Sequence, residues 1–143
     1  MNETAPHTRA FDTEAILGLV QSRCPELMAL YAFGSQITGH AGPESDLDLA
    51  VLVAGYADAL TLFDVSGDLA DVTGCAVDLL DLLDLRTAST VMQYQIITTG
   101  QRWWQQDGQA ALFEAAVLSE KTALDAARAG LLSDIQRTGS IYG

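Results

Sequence analysis

Asp46 and Asp48 flank Leu47 at the head of an apolar run, "DLDLAVLV" (46–53). Gly34-Ser35 closes an earlier apolar run, "LMALYAF", and ten residues separate Ser35 from Asp46. Residues two apart in a strand point to the same side, so the two carboxylates project together. Side by side they repel, and one would take up a proton unless a cation lies between them. Hard oxygen donors with open coordination positions suit Mg2+, which binds through one or two carboxylates and completes its shell with substrate phosphates. Glycine after a strand lets a ligand approach the backbone, and the serine adds a hydroxyl and free N–H groups suited to phosphate. D-x-D alone would fit an edge strand facing water. With Gly-Ser before it, the combination points to a nucleotide triphosphate site.

The elements that must carry these residues are legible from periodicity and punctuation. Asp12 can cap a helix running to Arg23, with Phe11 stapling to Ile16, and Cys24-Pro25 ends it. Strands are expected at 27–33, 47–53 and 76–82 ("AVDLLDL"). The second should be central, because both its faces are apolar beyond the acids. A helix is expected from Ala57 to about Val72, with Leu60, Phe63, Leu69 and Ala70 in phase. Ser89 or Thr87 should cap another, stopped by Gly100. "RWW" reads as a short edge strand, and a long helix from Gln109 to about Gln136 should be interrupted at Gly130. Helices and strands interleave around a small sheet, which gives an α/β (α+β) class: a small mixed sheet with flanking helices. One domain over residues 11–136 is expected, with flexible tails at 1–10 and 137–143.

Composition narrows the function. The 143 residues carry a net charge of −12, and no Lys/Arg stripe is visible, which argues against direct nucleic-acid binding. The same charge suits a basic partner or divalent cations. No apolar run reaches the ~18 residues of a membrane span, and no signal peptide is expected at the N-terminus. Cys24 and Cys75 form no metal or redox spacing and read as thiols of a cytoplasmic protein.

Gly34-Ser35, ten residues, then Asp46-Leu47-Asp48 resembles the signature of the DNA polymerase β-like nucleotidyltransferase superfamily. Over residues 12–136 the chain resembles the minimal nucleotidyltransferases, the MNT antitoxins paired with HEPN ribonuclease toxins. "VDLLDL" and "DLRTASTVMQYQIITTGQRWW" are similar to the segments after that family's third strand. The resemblance implies the polymerase β-like fold, with Asp46 and Asp48 holding Mg2+, ATP as donor, and Gly34 and Ser35 at the phosphates. It implies a tyrosine hydroxyl of a cognate HEPN-type toxin as acceptor. It also implies a third carboxylate, catalytic and metal-binding, from Asp78, Asp81 or Asp84. Counted from the preceding helix the match is Asp78; counted back from Arg86 it is Asp81. The two have opposite strand parity, so both cannot face the site. Asp78, directly after Val77, is preferred. Gln36 stands where many members carry arginine, which removes one phosphate contact, and His40 reads as a solvated loop residue.

The small-molecule nucleotidyltransferases of the superfamily usually add a larger substrate domain, for which about 90 residues after Asp48 leave little room. A non-catalytic antitoxin that acts by occlusion is the other alternative. For partner contact, the sequence offers the stripe Phe113, Val117, Leu124, Leu131 and Ile135, whose second half could reach a partner helix. Adjacent strand residues point oppositely, so one of Trp103 and Trp104 should be exposed as a candidate anchor.

Overall fold

The computed structural model describes residues 12–34, 47–74 and 80–138. Their order is α1 (Thr13–Arg23), β1 (Leu27–Phe33), β2 (Leu47–Val53), α2 (Ala59–Thr73), β3 (Leu80–Asp84), a 3-10 turn (Leu85–Thr87), α3 (Thr90–Thr99), β4 (Gln101–Gln105) and α4 (Gln109–Thr138). The strands form one mixed sheet in the order β3-β2-β1-β4. β1 pairs antiparallel with β2 and β4, and β2 pairs parallel with β3. No helix among the described residues is long and apolar enough to cross a membrane.

Alternation along the strands splits the core in two. Leu47, Leu49, Val51 and Val53 of β2 face one side, with Ile16 and Val20 of α1 and Leu62, Val65 and Leu69 of α2. Ala50 and Leu52 face the other, with Leu85, Ile96 of α3 and Ala110 of α4. Local signals bound the helices. Asp12 accepts from Ala15 N (3.1 Å), Asp58 from Thr61 N (3.0 Å) and Ser89 from Met92 N (3.1 Å). Gly100 ends α3 where a Cβ would lie 2.7 Å from the Ala32 carbonyl oxygen, so α3 reaches β1 only because that side chain is absent.

Two side-chain clamps fix the second face. Arg86 donates from Nε to the Val53 carbonyl (2.9 Å), touches Met28 Sδ and lies 5.5 Å from the centre of the Phe113 ring. Tyr31, 1% exposed, donates its hydroxyl to Glu114 Oε2 (2.7 Å), which also accepts from Arg102 (2.8 Å). These contacts hold the first third of α4, whose last buried residue is Val117.

Several expectations change. β1 and β2 have the expected limits. The third strand was expected at 76–82, and its described part runs from Leu80 through Asp84. In α2 the buried residues are Leu62, Val65 and Leu69, while Leu60 (74%) and Phe63 (76%) are exposed. Asp58 starts that helix two residues later than expected, and Leu62, the best-placed apolar residue, then sets the phase. Ser89, not Thr87, caps α3. α4 runs through Gly130 without a break, since one glycine costs only about 1 kcal/mol against many helical bonds. Trp103 and Trp104 both pack, half-buried, against the same core cluster. A register shift, Leu30↔Trp104 followed by Tyr31↔Arg102, puts an extra residue in β4 and overrides simple alternation. Phe11 lies outside the described residues.

Burial, and then the Glu114 carboxylate, push the Tyr31 phenol far above its ordinary value of 10.0. Folding therefore favours the protonated phenol, and its contribution is complete below pH 10 and lost as pH rises beyond it. Tyr31→Phe should cost roughly 1.5–3 kcal/mol at neutral pH, as expected for a hydrogen bond to a charged group. In chemical unfolding curves the gap between wild type and variant should narrow above pH 10; a constant gap would remove this account of the pair.

Candidate active site

β2 and β3 run parallel with Leu47 opposite Leu80, Asp48 opposite Asp81 and Leu49 opposite Leu82. In-register neighbours on adjacent strands point to the same face, about 4.8 Å apart along the sheet. Asp48 and Asp81 are therefore side by side, on the face shared by Ala50, Leu52 and Leu83. Asp48 is half-buried and Asp81 exposed. Leu80 and Leu82 turn to the opposite face, against the α2 side of the core.

Asp84, the last acid of the repeat, has a different task. It is 5% exposed and accepts from Ala57 N (2.9 Å) and Arg86 N (3.0 Å), tying the end of β3 to the loop before α2. That is the capping role open to the surplus acids of "DLLDLLDLR". Asp78 lies outside the described residues. Asp46, Ser35, Gln36 and His40 also lie outside them.

Gly34 is among the described residues, and its geometry is specific. Phe33 pairs with Asp48, so the next residue lies against the aspartate. Gly34 has φ +88°, a conformation that L side chains rarely adopt. A Cβ there would lie 3.1 Å from Asp48 Cγ and inside van der Waals contact of its Oδ2. The glycine thus lets the backbone close on the carboxylate, on the same side of the sheet.

A cleft of about 530 Å3 opens from this point. Phe33, Gly34 and Asp48 form one wall, and Val91, Met92 and Gln95 of α3 face them. Apolar walls with a few polar groups suit a heterocyclic ligand whose charged end lies at the aspartate. The α3 residues were not singled out from sequence. Their signal was faint: a ten-residue helix with one buried residue, Ile96, leaves Val91 and Met92 without a core to fill.

Comparison with known proteins bears on the family and the fold. Residues 14–109 match the model of the family described as polymerase beta, nucleotidyltransferase. The chain belongs to that family. It is 33% identical over 120 residues to the protein adenylyltransferase MntA of Shewanella oneidensis, covering 84% of each chain. A crystal structure of a toxin–antitoxin with AMP-PNP has a chain that superposes with a TM-score of 0.76 at 31% identity, covering 88% of this chain and 99% of that one. A structure of tri-AMPylated Shewanella oneidensis HEPN toxin in complex with MNT antitoxin matches at 0.67 and 30% identity, covering 86% of this chain and 94% of that one. The expected polymerase β-like nucleotidyltransferase fold is the fold observed.

Gly34→Ala tests the close approach directly. The new methyl group must displace Asp48, and misplacing a reacting group by ~1 Å can lower turnover about 100-fold. Nucleotidyl transfer should fall by that order, whereas Gly55→Ala, also at positive φ but with open space around it, should show only a loss of stability. Equal activity losses in the two variants would mean that backbone strain, not contact with Asp48, makes Gly34 necessary.

Proposed function

We propose that this protein is a Mg2+-dependent protein adenylyltransferase that transfers AMP from ATP to a hydroxyl, a tyrosine hydroxyl by resemblance, of a HEPN-type toxin, neutralising it. One observation carries the reading: two carboxylates, Asp48 and Asp81, stand in register on adjacent parallel strands, and Asp48 lies beside Gly34 at an apolar cleft. Membership of the nucleotidyltransferase family supports it, as do the 33% identity to a protein adenylyltransferase and the similarity to antitoxin chains solved with AMP-PNP and with an AMPylated HEPN toxin.

The donor set fits a hard divalent cation: carboxylate oxygens, converging on one face, with room for phosphate oxygens. Asp46 and Asp48 would hold Mg2+, with a third carboxylate beside them. We assign that third role to Asp81 in place of Asp78. The register with Asp48 supports Asp81, and so does the count back from Arg86. Bound Mg2+ would offset the charge of the triphosphate and polarise the reacting phosphoryl group.

The chain's own groups account for the rest. Gly34 keeps the backbone close, and Ser35 holds a terminal phosphate through its hydroxyl and N–H. Val91 and Met92 shield the adenosine end from water, and Gln95 offers an amide to its edge. Asp81, the exposed acid, accepts the proton of the incoming hydroxyl. The freed oxygen attacks the α-phosphorus, the bond to the bridging oxygen of the β-phosphate breaks, and pyrophosphate leaves opposite the new ester bond.

Asp48→Asn and Asp81→Asn should each lower label transfer from ATP roughly a thousandfold, the several kcal/mol that one ligand of a catalytic cation is worth. Both should keep their thermal melting temperatures. Asp84→Asn should do the reverse, losing about 1–3 kcal/mol of stability through its two backbone donors while transferring AMP. Transfer retained by Asp81→Asn and lost by Asp78→Asn would return the third role to Asp78.

The function as a whole is tested on the partner. The toxin is incubated with this protein, ATP and Mg2+, freed from it at high salt, weighed by mass spectrometry and assayed for ribonuclease activity. A mass raised by whole AMP units and activity still absent is the expected result. Full activity at unchanged mass means protection by occlusion alone.

A further inference from the structure

β3 is an edge strand, and no described residue pairs with its outer side. An open edge presents a row of backbone donors and acceptors to any extended segment that fits beside it. A groove of about 390 Å3 runs along this edge, between Leu80–Leu82 and the Leu62, Phe63 and Ser66 positions of α2. Phe63 and Leu60, three residues apart on α2, leave 76% and 74% of their surface in water. Asp81 lies on the same edge, in register with Asp48, and borders the groove where it meets the face of the acids.

These features share one geometry. We propose that the open edge of β3 takes an extended segment of the acceptor protein as an added strand, with the target hydroxyl turned to the Asp48–Asp81 face and its sequence neighbours turned onto Leu62 and Phe63. This rests on the function proposed above, in which the acceptor is a protein side chain. Such a substrate must bring its own backbone to the acids, and a free strand edge is what a backbone can bind. Side-chain alternation then does the sorting. A residue facing the acids has both neighbours on the groove side. The best acceptor sequence is a hydroxyl residue between two apolar ones.

Charge selects the occupant. Among the described residues, Asp81 is the one charged residue lining the groove, and neither α2 nor β3 contains a lysine or arginine. A second copy of this chain, at −12, would set its own acids against it. A neutral or basic segment meets no such cost and gains from the field.

The test uses the full-length protein and its HEPN-type partner. Phe63→Ser and Leu60→Ser alter exposed side chains and should leave melting and ATP affinity unchanged. Phe63→Ser should raise the KM for the partner about tenfold or more, the scale expected for losing one buried aromatic contact. Hydrogen exchange at the amides of residues 80–84 should slow when the partner binds. An unchanged partner KM together with unprotected β3 amides overturns the proposal. A raised KM with unprotected amides also overturns it, because the partner would then contact α2 without adding a strand. Failure of the unaltered protein to transfer AMP at all would instead sink the proposed function, and this inference with it.

Discussion

The candidate site depends on the register between two parallel strands. Parallel pairing of β2 with β3 sets Asp48 opposite Asp81, and a slip of one residue would turn Leu80 or Leu82 to the site and bury an acid in the core. The hydrophobic pattern enforces that register. Leu47 and Leu49 must lie with Leu80 and Leu82 on the α1–α2 side, so the acids between them have one face left. At the far end, Asp84 gathers the Ala57 and Arg86 N–H groups, and Arg86 reaches back to the Val53 carbonyl at the end of β2. The strand pair is pinned where it is buried and open where it carries chemistry.

The second face is built to leave that end open. α3 and α4 cover Ala50 and Leu52 but stop short of Asp48, and the remaining gap is the cleft. Gly100 allows α3 to approach β1 at Ala32, while Tyr31, the residue before it, holds α4 through Glu114, which also accepts from Arg102. The rest of α4 does little for this core. Its 30 residues span about 45 Å, and Leu131 and Leu132, beyond the last buried residue Val117, keep more than half of their surface in water.

Legibility from sequence followed the strength of the local signal. β1 and β2 were readable to the residue because each is a short apolar run bounded by Gly34, Pro25 or the acids. Gly34 and Asp48 could be singled out as candidates because spacing across a loop does not depend on tertiary detail. The choice between Asp78 and Asp81 was not open to the same reading, because a threefold acidic repeat has several self-consistent registers, and pairing with β2 places only Asp81 among the described residues. Leu60 and Phe63 were assigned to the core because helix phase was read from apolar residues alone, without the offset that Asp58 imposes. The two tryptophans were separated by a rule of alternation that a bulge suspends. The α3 wall of the cleft was invisible for a different reason: an apolar residue facing a ligand has the same sequence signature as one facing a core.

Charge explains why a cation belongs in the chemistry of such a site. A triphosphate brings several negative charges to two aspartates, and neutralisation has to come from somewhere. Among the described residues, Arg23 is paired with Asp68, Arg102 with Glu114, Lys121 with Asp125 and Arg137 with Asp134, and Arg128 lies exposed on α4 beyond the last buried residue of that helix. Arg86 is spent on Val53 and Phe113, and no lysine or arginine is among the described residues that line the cleft. Gln36 stands where the resemblance would put an arginine. Backbone N–H groups can meet part of the phosphate charge. In the proposed function a dissolved cation would supply the remainder, and the paired carboxylates that would otherwise repel the substrate are what would hold it. The same acids would then make the site costly to approach for nucleotide alone and favourable for nucleotide already carrying its metal, so that donor selection and metal loading would become one event.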